Sequence, residues 1–350
     1  MNNTIGLSVI VASLSLLSSF SGEKNEAWAQ EKVPVEPITL SYAFFAPADS
    51  FPAVQMKRWA NEVNKRTEGR VEVALFPGGS LLTAQNMYDG VLSGVADIGL
   101  SATSYEPGRF PLFNLAGNLT GQGVNSTVAS QVAFRLTQEF EDEMPGFEGF
   151  KVVTAFTSEP AYIQTLDPVR TTKDLEGLDI RISGGNSRAL EALGASAVGM
   201  SQAETSEALQ SGVIDGYAAS REVLMDMQFA RMIGYVTDYP LTNTLFAALM
   251  TREKWESLPE DVQEVINDLG PQMASFTGEY LDEHISKSME WAQEEEGVEI
   301  INLSNKEQEQ WDEKLATVNG AILSEAENKG LPAKRFAERM YEMIKEYQTP

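Results

Sequence analysis

Short apolar runs alternate with helix-type segments from residue 38 onward, and this alternation constrains the fold more than any other feature of the sequence. Residues 38–42 and 71–76 predict two strands, and the segment between them carries apolar residues at three- and four-residue spacing before a stop near Gly69. Strands that alternate with helices are typical of an α/β domain with a largely parallel sheet. We therefore predict an α/β fold.

A second series begins near Lys151 and repeats this order with clearer punctuation. Residues 178–182 predict a strand, residues 186–193 a helix closed by a glycine, and residues 196–200 another strand. Ser201 and Glu204 have the spacing of a capping box, in which the serine and the glutamate each satisfy a backbone N–H of the other residue. The chain thus contains two α/β series.

The two series share a phrase: residues 93–97 are SGVAD and residues 211–215 are SGVID. In the first series the phrase ends a helix predicted to begin at Thr83, and the strand 96–100 follows. Coincidence and ordinary helix-stop glycines are one explanation; two lobes of similar build are the other. Two such lobes would leave a cleft at the carboxyl ends of their strands, where open α/β sheets bind ligands.

The last third of the chain contains one fully apolar run and several charged helices. Residues 245–250 predict a strand that is buried on both faces. One helix is predicted to start at Pro259 and another to run from about residue 271 to 296. Residues 298–303 predict a late strand, and residues 304–307 (SNKE) a second capping box.

The N-terminal segment has the features of a targeting sequence. Residues 5–20 are uncharged and mostly apolar, and Ala27 and Ala29 form an A-x-A site. This pattern predicts a Sec-type signal peptide, residues 1–29, and a soluble protein exported to the periplasm. No Lys or Arg precedes the apolar run, so the usual basic region is absent, and an uncleaved membrane anchor is the alternative.

Charge and composition exclude several function classes. The formal net charge is −25 and no basic patch is present, which excludes a nucleic-acid-binding surface. The chain has no cysteine and one histidine, His284, so thiolate chemistry and Cys/His metal sites are out of reach. No G-x-S-x-G or phosphate-loop motif occurs, and His284 is predicted to face solvent on a helix. We expect no enzyme activity, no cofactor and no metal.

Arg181 is the candidate binding residue. It lies in the predicted strand 178–182 between Ile180 and Ile182, so its side chain points away from the face that these two share. An arginine near the carboxyl end of a parallel strand can face a cleft, where its planar guanidinium binds a carboxylate through two hydrogen bonds. A structural salt bridge and a ligand clamp both remain open from this pattern.

Several phrases together resemble the solute-binding subunits of TRAP (tripartite ATP-independent periplasmic) transporters, the DctP-type family. They are FPGGSL (76–81), GVADI (94–98), PGRFPL (107–112), VRT to GLDIR (169–181), ALGA (192–195), ALQSGVIDG (208–216) and LPEDVQ (258–263). The match runs from about residue 38 to 270. Singly these motifs are weak, but their order and spacing are specific in combination.

The resemblance implies a two-lobed, periplasmic-binding-protein-like fold. It implies a ligand cleft between the lobes, hinge strands, a long helix spanning both lobes, and Arg181 as the carboxylate clamp. Lobe I is expected to comprise residues 36–157 plus 245–285, and lobe II residues 158–244 plus 286–350. The implied partners are a small organic acid and the small and large integral membrane subunits of a TRAP transporter.

The sequence departs from sialic-acid-type members where these have a second arginine, because it has PAYIQ at residues 160–164. We therefore predict one strong cation in aromatic surroundings, with a polar contact from Gln202. The aromatic candidates, each of which has core packing as the alternative, are Phe45, Tyr105, Tyr162 and Tyr217. Arg221 either supplies a second cation or faces solvent.

These features favour a receptor for a small monocarboxylate with an apolar or aromatic tail. Two alternatives remain from the sequence. One is the receptor of an ABC importer or sensor kinase, and the other is an exported lyase or hydrolase that acts on acidic substrates. The missing nucleophile–base pairs disfavour the second.

Overall fold

The structure, a computed structural model, describes residues 37–106 and 108–348, so the predicted signal peptide lies outside the described residues. The described residues form strands β1 Ile38–Phe44, β2 Val71–Phe76, β3 Ile98–Ala102, β4 Phe150–Pro160, β5 Tyr162–Thr165, β6 Asp179–Ile182, β7 Ser196–Gly199, β8 Gly216–Ala219, β9 Tyr235–Thr237, β10 Asn243–Thr251 and β11 Glu299–Ile301. They form helices α1 Phe51–Arg66, α2 Met87–Leu92, α3 Leu115–Asn118, α4 Ser126–Glu139, α5 Arg188–Leu193, α6 Thr205–Gln210, α7 Val223–Asp226, α8 Arg252–Ser257, α9 Glu260–Glu294, α10 Asn305–Asn328 and α11 Ala333–Gln348.

The strands form two sheets, one in each lobe. Lobe I contains the order β2-β1-β3-β10-β4, and lobe II the order β11-β9-β5-β8-β6-β7. β1 pairs in parallel with β2 and β3, and β6 pairs in parallel with β7 and β8, as the strand–helix–strand pattern predicts. The α/β, two-lobed architecture is therefore confirmed.

The chain passes between the two sheets at two connections, from β4 to β5 and from β9 to β10. Only Ala161 separates β4 of lobe I from β5 of lobe II, and the return crossing from β9 enters β10. At the crossing, the Ala161 N–H donates to the Thr242 carbonyl at 2.7 Å, and the Leu241 N–H donates to the Ala161 carbonyl at 2.9 Å. The two connections are thus tied to each other at the point where the chain passes between lobes.

The shared SGVxD phrase has the same structural role in both lobes. Gly94 and Gly212 follow α2 and α6 with φ of 73° and 69°, a left-handed conformation that glycine adopts without steric cost. Asp97 then accepts the backbone N–H of Ser41 at 2.8 Å, and Asp215 accepts that of Asp179 at 2.8 Å. Each aspartate thereby joins the turn to the backbone of a neighbouring strand, β1 in lobe I and β6 in lobe II, which explains the repetition by similar build.

Helix α9 replaces the two helices predicted for residues 259–296. It runs without a break for 35 residues and contains Pro271 in its interior. A proline there removes one helical hydrogen bond, but Leu269, Met273 and Ala274 around it are buried in the lobe I core. Tertiary burial therefore outweighs the local penalty. Ala292, near the other end, is buried in lobe II, so the helix spans both lobes.

The C-terminal helices do not follow the predicted assignment of residues 286–350 to lobe II, because they contribute to both cores. Trp311 of α10 is buried in the lobe II core, whereas Ile322 farther along α10 belongs to the lobe I cluster. The α11 side chains Phe336 and Met340 are fully buried in lobe I, where Phe336 packs edge-on against Phe140 at 5.0 Å. Helix α11 thus packs with lobe I and not with lobe II.

The helix start predicted at Thr83 and the capping box predicted at residues 304–307 differ from the structure. The side chain of Asn86 accepts hydrogen bonds from the Thr83 backbone and hydroxyl, so residues 83–86 form a turn and α2 begins at Met87. At α10, the Ser304 hydroxyl accepts from the Glu307 N–H, which is one half of a capping box. The Ser201–Glu204 capping box is complete, although it opens a 3-10 turn that leads into α6.

Candidate ligand-binding site

A cavity of about 60 Å³ lies between the lobes, at the carboxyl end of β1 and next to β6 and β8. Lobe I supplies mostly aromatic and small side chains from the loop after β1, the start of α1 and the middle of β10. Lobe II supplies polar side chains from β6 and from the segments that follow β7 and β8. The lining residues that matter below are Phe45, Phe51, Tyr105 and Phe246 from lobe I, and Arg181, Gln202, Ser220, Glu222 and Asp226 from lobe II.

Arg181 is the cation of this cavity, and the described residues leave its charge without a carboxylate partner. Its side chain points away from Ile180 and Ile182, which are buried in the lobe II core, as the strand alternation predicts. The residue is 1% exposed. Its partners are neutral: the Met200 carbonyl at 3.1 and 2.8 Å, Gln202 Oε1 at 2.6 Å and the Tyr105 hydroxyl at 3.2 Å.

The neighbours of Arg181 leave several hydrogen-bond donors unused. The guanidinium group has five N–H groups, and four of them donate the hydrogen bonds given above. The fifth, on Nη1, has no acceptor among the described residues. Gln202 Nε2 is buried without a partner. The Tyr105 hydroxyl accepts from Arg181 and from the Gln202 N–H at 3.0 Å, and no described residue accepts its own proton. This cluster of donors around a buried cation suits an anion.

The opposite wall of the cavity is aromatic. The Phe45 ring meets the Tyr105 ring edge-on, with centroids 5.3 Å apart, and Phe51 meets Phe246 edge-on at 5.6 Å. Edge-on packing fixes both ring positions and presents apolar surface to whatever fills the space. Phe45, Tyr105, Arg181 and Gln202 are therefore predicted site residues that the structure does bring together.

Tyr217 and Tyr162 are not brought to this cavity. Tyr217 is fully buried in the lobe II core, where its hydroxyl donates to Gln164 Oε1 at 2.8 Å and its ring packs on Phe229. Tyr162 begins β5 at the crossing, and its ring lies under the guanidinium of Arg221 at 3.8 Å. Core packing, the alternative left open for each aromatic, describes both residues.

Arg221 neither lines the cavity nor faces solvent; it forms an ion pair at the crossing strands. Its Nε contacts both carboxylate oxygens of Glu159 at 3.1 and 3.2 Å, its Nη2 also donates to Glu159, and its Nη1 reaches Asp238 at 3.3 Å. The Glu159 side chain is 8% exposed. Burial lowers the pKa of Arg221, but the hydrogen bonds to Glu159 and the charges of Glu159, Tyr162 and Asp238 together outweigh this effect, and the net shift is upward.

Three polar groups of the cavity were missed by the sequence analysis. Ser220, Glu222 and Asp226 follow β8, and one side-chain oxygen of each is buried without a hydrogen-bond partner. Burial, followed by the charges of Asp226 and Glu159, raises the pKa of Glu222 well above its usual value. The sequence signal that could have indicated these residues is the four-residue spacing of Glu222 and Asp226. Both follow β8, the strand that pairs with the strand of Arg181.

The prediction for His284 was wrong, because its side chain is 17% exposed and is bonded to the site. Its Nε2 lies 2.6 Å from Asp226 Oδ1, which joins α9 to the α7 segment beside the cavity.

Among residues 37–106 and 108–348, no group of three or more histidine or acidic side chains is arranged to hold a metal ion. Within the same residues, no helix is both long and apolar enough to cross a membrane.

The chain belongs to the bacterial extracellular solute-binding protein family 7, DctP, whose model matches residues 43–326. A TRAP periplasmic solute-binding protein from Desulfovibrio salexigens is 40% identical; the match covers 89% of this chain and 97% of that one, with a TM-score of 0.78. A marine metagenome TRAP solute-binding protein specific for aromatic acid ligands is 25% identical, covers 89% and 100%, and has a TM-score of 0.83.

A curated relative is more distant. The C4-dicarboxylate-binding protein DctB of Bacillus subtilis is 19% identical over 297 residues, which cover 81% of each chain. The family and these neighbours are solute-binding receptors and not enzymes. The protein is thus a TRAP-type solute-binding receptor, which confirms the family and the two-lobed fold that the sequence motifs predicted.

Proposed function

We propose that this receptor carries a small monocarboxylate with an apolar or aromatic tail, and that Arg181 binds the carboxylate. The observation that carries the proposal is the buried guanidinium of Arg181, whose described partners are all neutral. A buried charge is costly unless a counter-ion and hydrogen bonds compensate it. A ligand carboxylate would supply both, and Tyr105 and Gln202 would donate to it beside Arg181.

A single carboxylate fits the charges better than two. The other candidate arginine, Arg221, is already paired with Glu159 and Asp238. The remaining ionisable groups on the cavity wall, Glu222 and Asp226, are acidic and would repel a second carboxylate. The aromatic side chains Phe45, Phe51 and Phe246 would instead take apolar surface.

Two neighbours support an acid ligand. The 25% identical marine protein is specific for aromatic acid ligands, and its structure is a complex with metahydroxyphenylacetate. The Desulfovibrio salexigens protein has the C-terminus of a symmetry mate in its ligand site, and a chain terminus ends in a carboxylate. The volume of about 60 Å³ is below the roughly 150 Å³ of an apolar cavity that holds benzene, so an aromatic acid would require the lobes to part.

Closure of the lobes would trap the ligand. Arg181 and Gln202 of lobe II contact the Tyr105 hydroxyl of lobe I, so the groups proposed to bind the carboxylate meet across the cleft. The crossing strands at Ala161 would act as the hinge. The moving bodies are proposed to be residues 36–157 plus 245–285 with α11, and residues 158–244 plus 286 to the middle of α10.

Delivery would follow from the family role. The closed, loaded receptor is proposed to dock on the small and large membrane subunits of a TRAP transporter. Export to the periplasm would depend on the signal peptide proposed for residues 1–29. Both statements rest on family membership and on the N-terminal sequence pattern.

A thermal-shift screen over organic acids tests the proposal. A ligand that binds the folded protein alone adds about 2.7 kcal/mol of stability at 100 times its Kd. We expect C3 to C8 monocarboxylates to raise the melting temperature, their uncharged amides to have no effect, and dicarboxylates and sugar acids to have a smaller one. A screen in which dicarboxylates give the largest shift would contradict the monocarboxylate assignment.

A further inference from the structure

The cavity wall contributed by lobe II has two chemically different parts. Around Arg181 the unused groups are donors, whereas the segment after β8 presents unused oxygens: Ser220 Oγ, Glu222 Oε2 and Asp226 Oδ2. Ser220 and Glu222 are 4% and 5% exposed, so solvent has little access to them. Buried polar atoms are nearly always hydrogen-bonded, and three unpaired oxygens on one cavity wall indicate a missing donor.

No described residue donates a hydrogen bond to these three oxygens. Arg221 is next to Glu222 in sequence, but its guanidinium is taken up by Glu159 and Asp238. His284 reaches Asp226 through the other oxygen, Oδ1, and leaves Oδ2 unpaired. The three oxygens therefore have no hydrogen-bond donor among the described residues, and the residues that carry them line the cavity.

We propose that Ser220, Glu222 and Asp226 form an acceptor subsite for a hydroxyl or amino group on the tail of the carried acid. This inference rests on the proposed function and narrows it to monocarboxylates that have a hydrogen-bond donor away from the carboxylate. Such a ligand satisfies the donors around Arg181 with one end and the buried oxygens with the other. An acid with a purely apolar tail would bury these oxygens unpaired, which is unfavourable.

The chemistry on this wall distinguishes two kinds of donor. Two carboxyl groups, of which only Asp226 contacts a basic side chain, His284, make the wall electronegative, and burial already opposes ionisation of Glu222. An ammonium group would relieve both effects, whereas a hydroxyl would supply a hydrogen bond alone. We therefore expect an ammonium-bearing acid to bind at least as tightly as its hydroxyl analogue.

Matched ligand series test the subsite by calorimetric titration of the full chain. One series is benzoate, 3-hydroxybenzoate and 3-(aminomethyl)benzoate; the other is butanoate, 4-hydroxybutanoate and 4-aminobutanoate. A hydrogen bond to a charged group contributes about 1.5–3 kcal/mol, which corresponds to a factor of about ten or more in Kd. In at least one series we expect a donor-bearing acid to bind about tenfold or more tightly than its parent.

The variant Glu222→Met removes the unpaired carboxyl group and keeps a similar length. We expect it to reduce the preference for the donor-bearing acid to within about threefold while the Kd of the parent acid stays the same or improves. Glu222→Gln, which keeps one acceptor oxygen, should give an intermediate preference. Glu309→Gln, an exposed acid on α10, is the control and should leave the preference unchanged.

Failure of the subsite and failure of the proposed function give different results. Parent acids that bind as tightly as their donor-bearing analogues in both series would overturn the subsite and leave the monocarboxylate proposal intact. A preference that survives Glu222→Met in a folded variant would also overturn the subsite. If no acid of either series bound, the result would count against the proposed function itself.

Discussion

Arg181 and Arg221 are attached to neighbouring strand ends of the same sheet, and their surroundings differ in one respect. Arg221 is paired with Glu159 and Asp238 and lies over the Tyr162 ring. Arg181 is more deeply buried, yet its hydrogen-bond partners among the described residues are neutral. The fold supplies the counter-ions of Arg221, whereas we propose that a ligand in the cleft supplies the counter-ion of Arg181.

The comparison extends to the acids beside them. Burial is the first cause of a raised pKa at both carboxyl groups, but Glu159 at the crossing has its arginine, whereas Glu222 in the cavity has an unpaired oxygen. Buried polar groups that the fold leaves unpaired are costly, so they persist where a ligand or motion requires them. We infer that the paired region holds the hinge together and that the unpaired region binds the ligand.

The largest effect is expected at the hinge. Arg221→Ala leaves Glu159 buried without its partner, and loss of one member of a buried pair costs about 3–5 kcal/mol. The free energy of unfolding, measured by urea titration, should fall by that amount, while ligand affinity per folded molecule should change little. The double variant Arg221→Met with Glu159→Met should recover most of the loss, because it leaves no buried charge unpaired; Asp238, which also loses its partner, is 41% exposed. If Arg221→Ala were as stable as the wild type, the claim that the Arg221–Glu159 pair stabilises the fold would be wrong.

An intermediate effect is expected at the contact between lobes. The Tyr105 hydroxyl accepts from Arg181 at 3.2 Å and from the Gln202 N–H at 3.0 Å, so it connects lobe I to lobe II beside the cavity. Tyr105→Phe removes an interaction of about 0.5–1.5 kcal/mol, which should weaken ligand binding roughly 2- to 12-fold in calorimetry. Tyr347→Phe, at an exposed tyrosine, serves as the control. Equal affinity in the two variants would show that Tyr105 takes no part.

The smallest effect concerns the pH dependence of stability at Glu222. Its pKa in the folded protein is raised above the ordinary value of 4.5, first by burial and then by Asp226 and Glu159. For an acid shifted upward, the stabilisation of the protonated form is present below about pH 4.5 and is lost as pH rises through the folded pKa. Glu222→Gln cannot ionise, so its melting temperature relative to wild type should increase from pH 5 to pH 8. A constant difference across this range would contradict the shift.

The sequence was sufficient where one local rule decides the outcome. Strand alternation placed Arg181 opposite Ile180 and Ile182, and helix-stop glycines marked the ends of α2 and α6. The order of family phrases predicted the two-lobed fold. These features depend on near neighbours in sequence, so they can be read without the tertiary structure.

The remaining features depend on which distant residues meet. Nothing local in the sequence pairs Arg221 with Glu159, which lies 62 residues away, or His284 with Asp226, 58 residues away. The local cost of Pro271 predicts a helix boundary, because the core that surrounds α9 cannot be read from the neighbouring residues in sequence. For the same reason Tyr217 was placed at the site, although its strand turns it into the lobe II core.

The most direct test of the central claim is the affinity of Arg181→Ala for the acid that gives the largest shift in the screen. A buried charge pair that loses one partner costs about 2–5 kcal/mol, so the Kd should rise at least about 30-fold. Arg181→Lys keeps the charge but loses the planar guanidinium, so its Kd should lie between those of the wild type and Arg181→Ala. The unliganded Arg181→Ala protein should melt close to or above wild type, because an unpaired buried charge is removed. Normal affinity together with a clearly lower melting temperature would mean that Arg181, like Arg221, serves the fold and not the ligand.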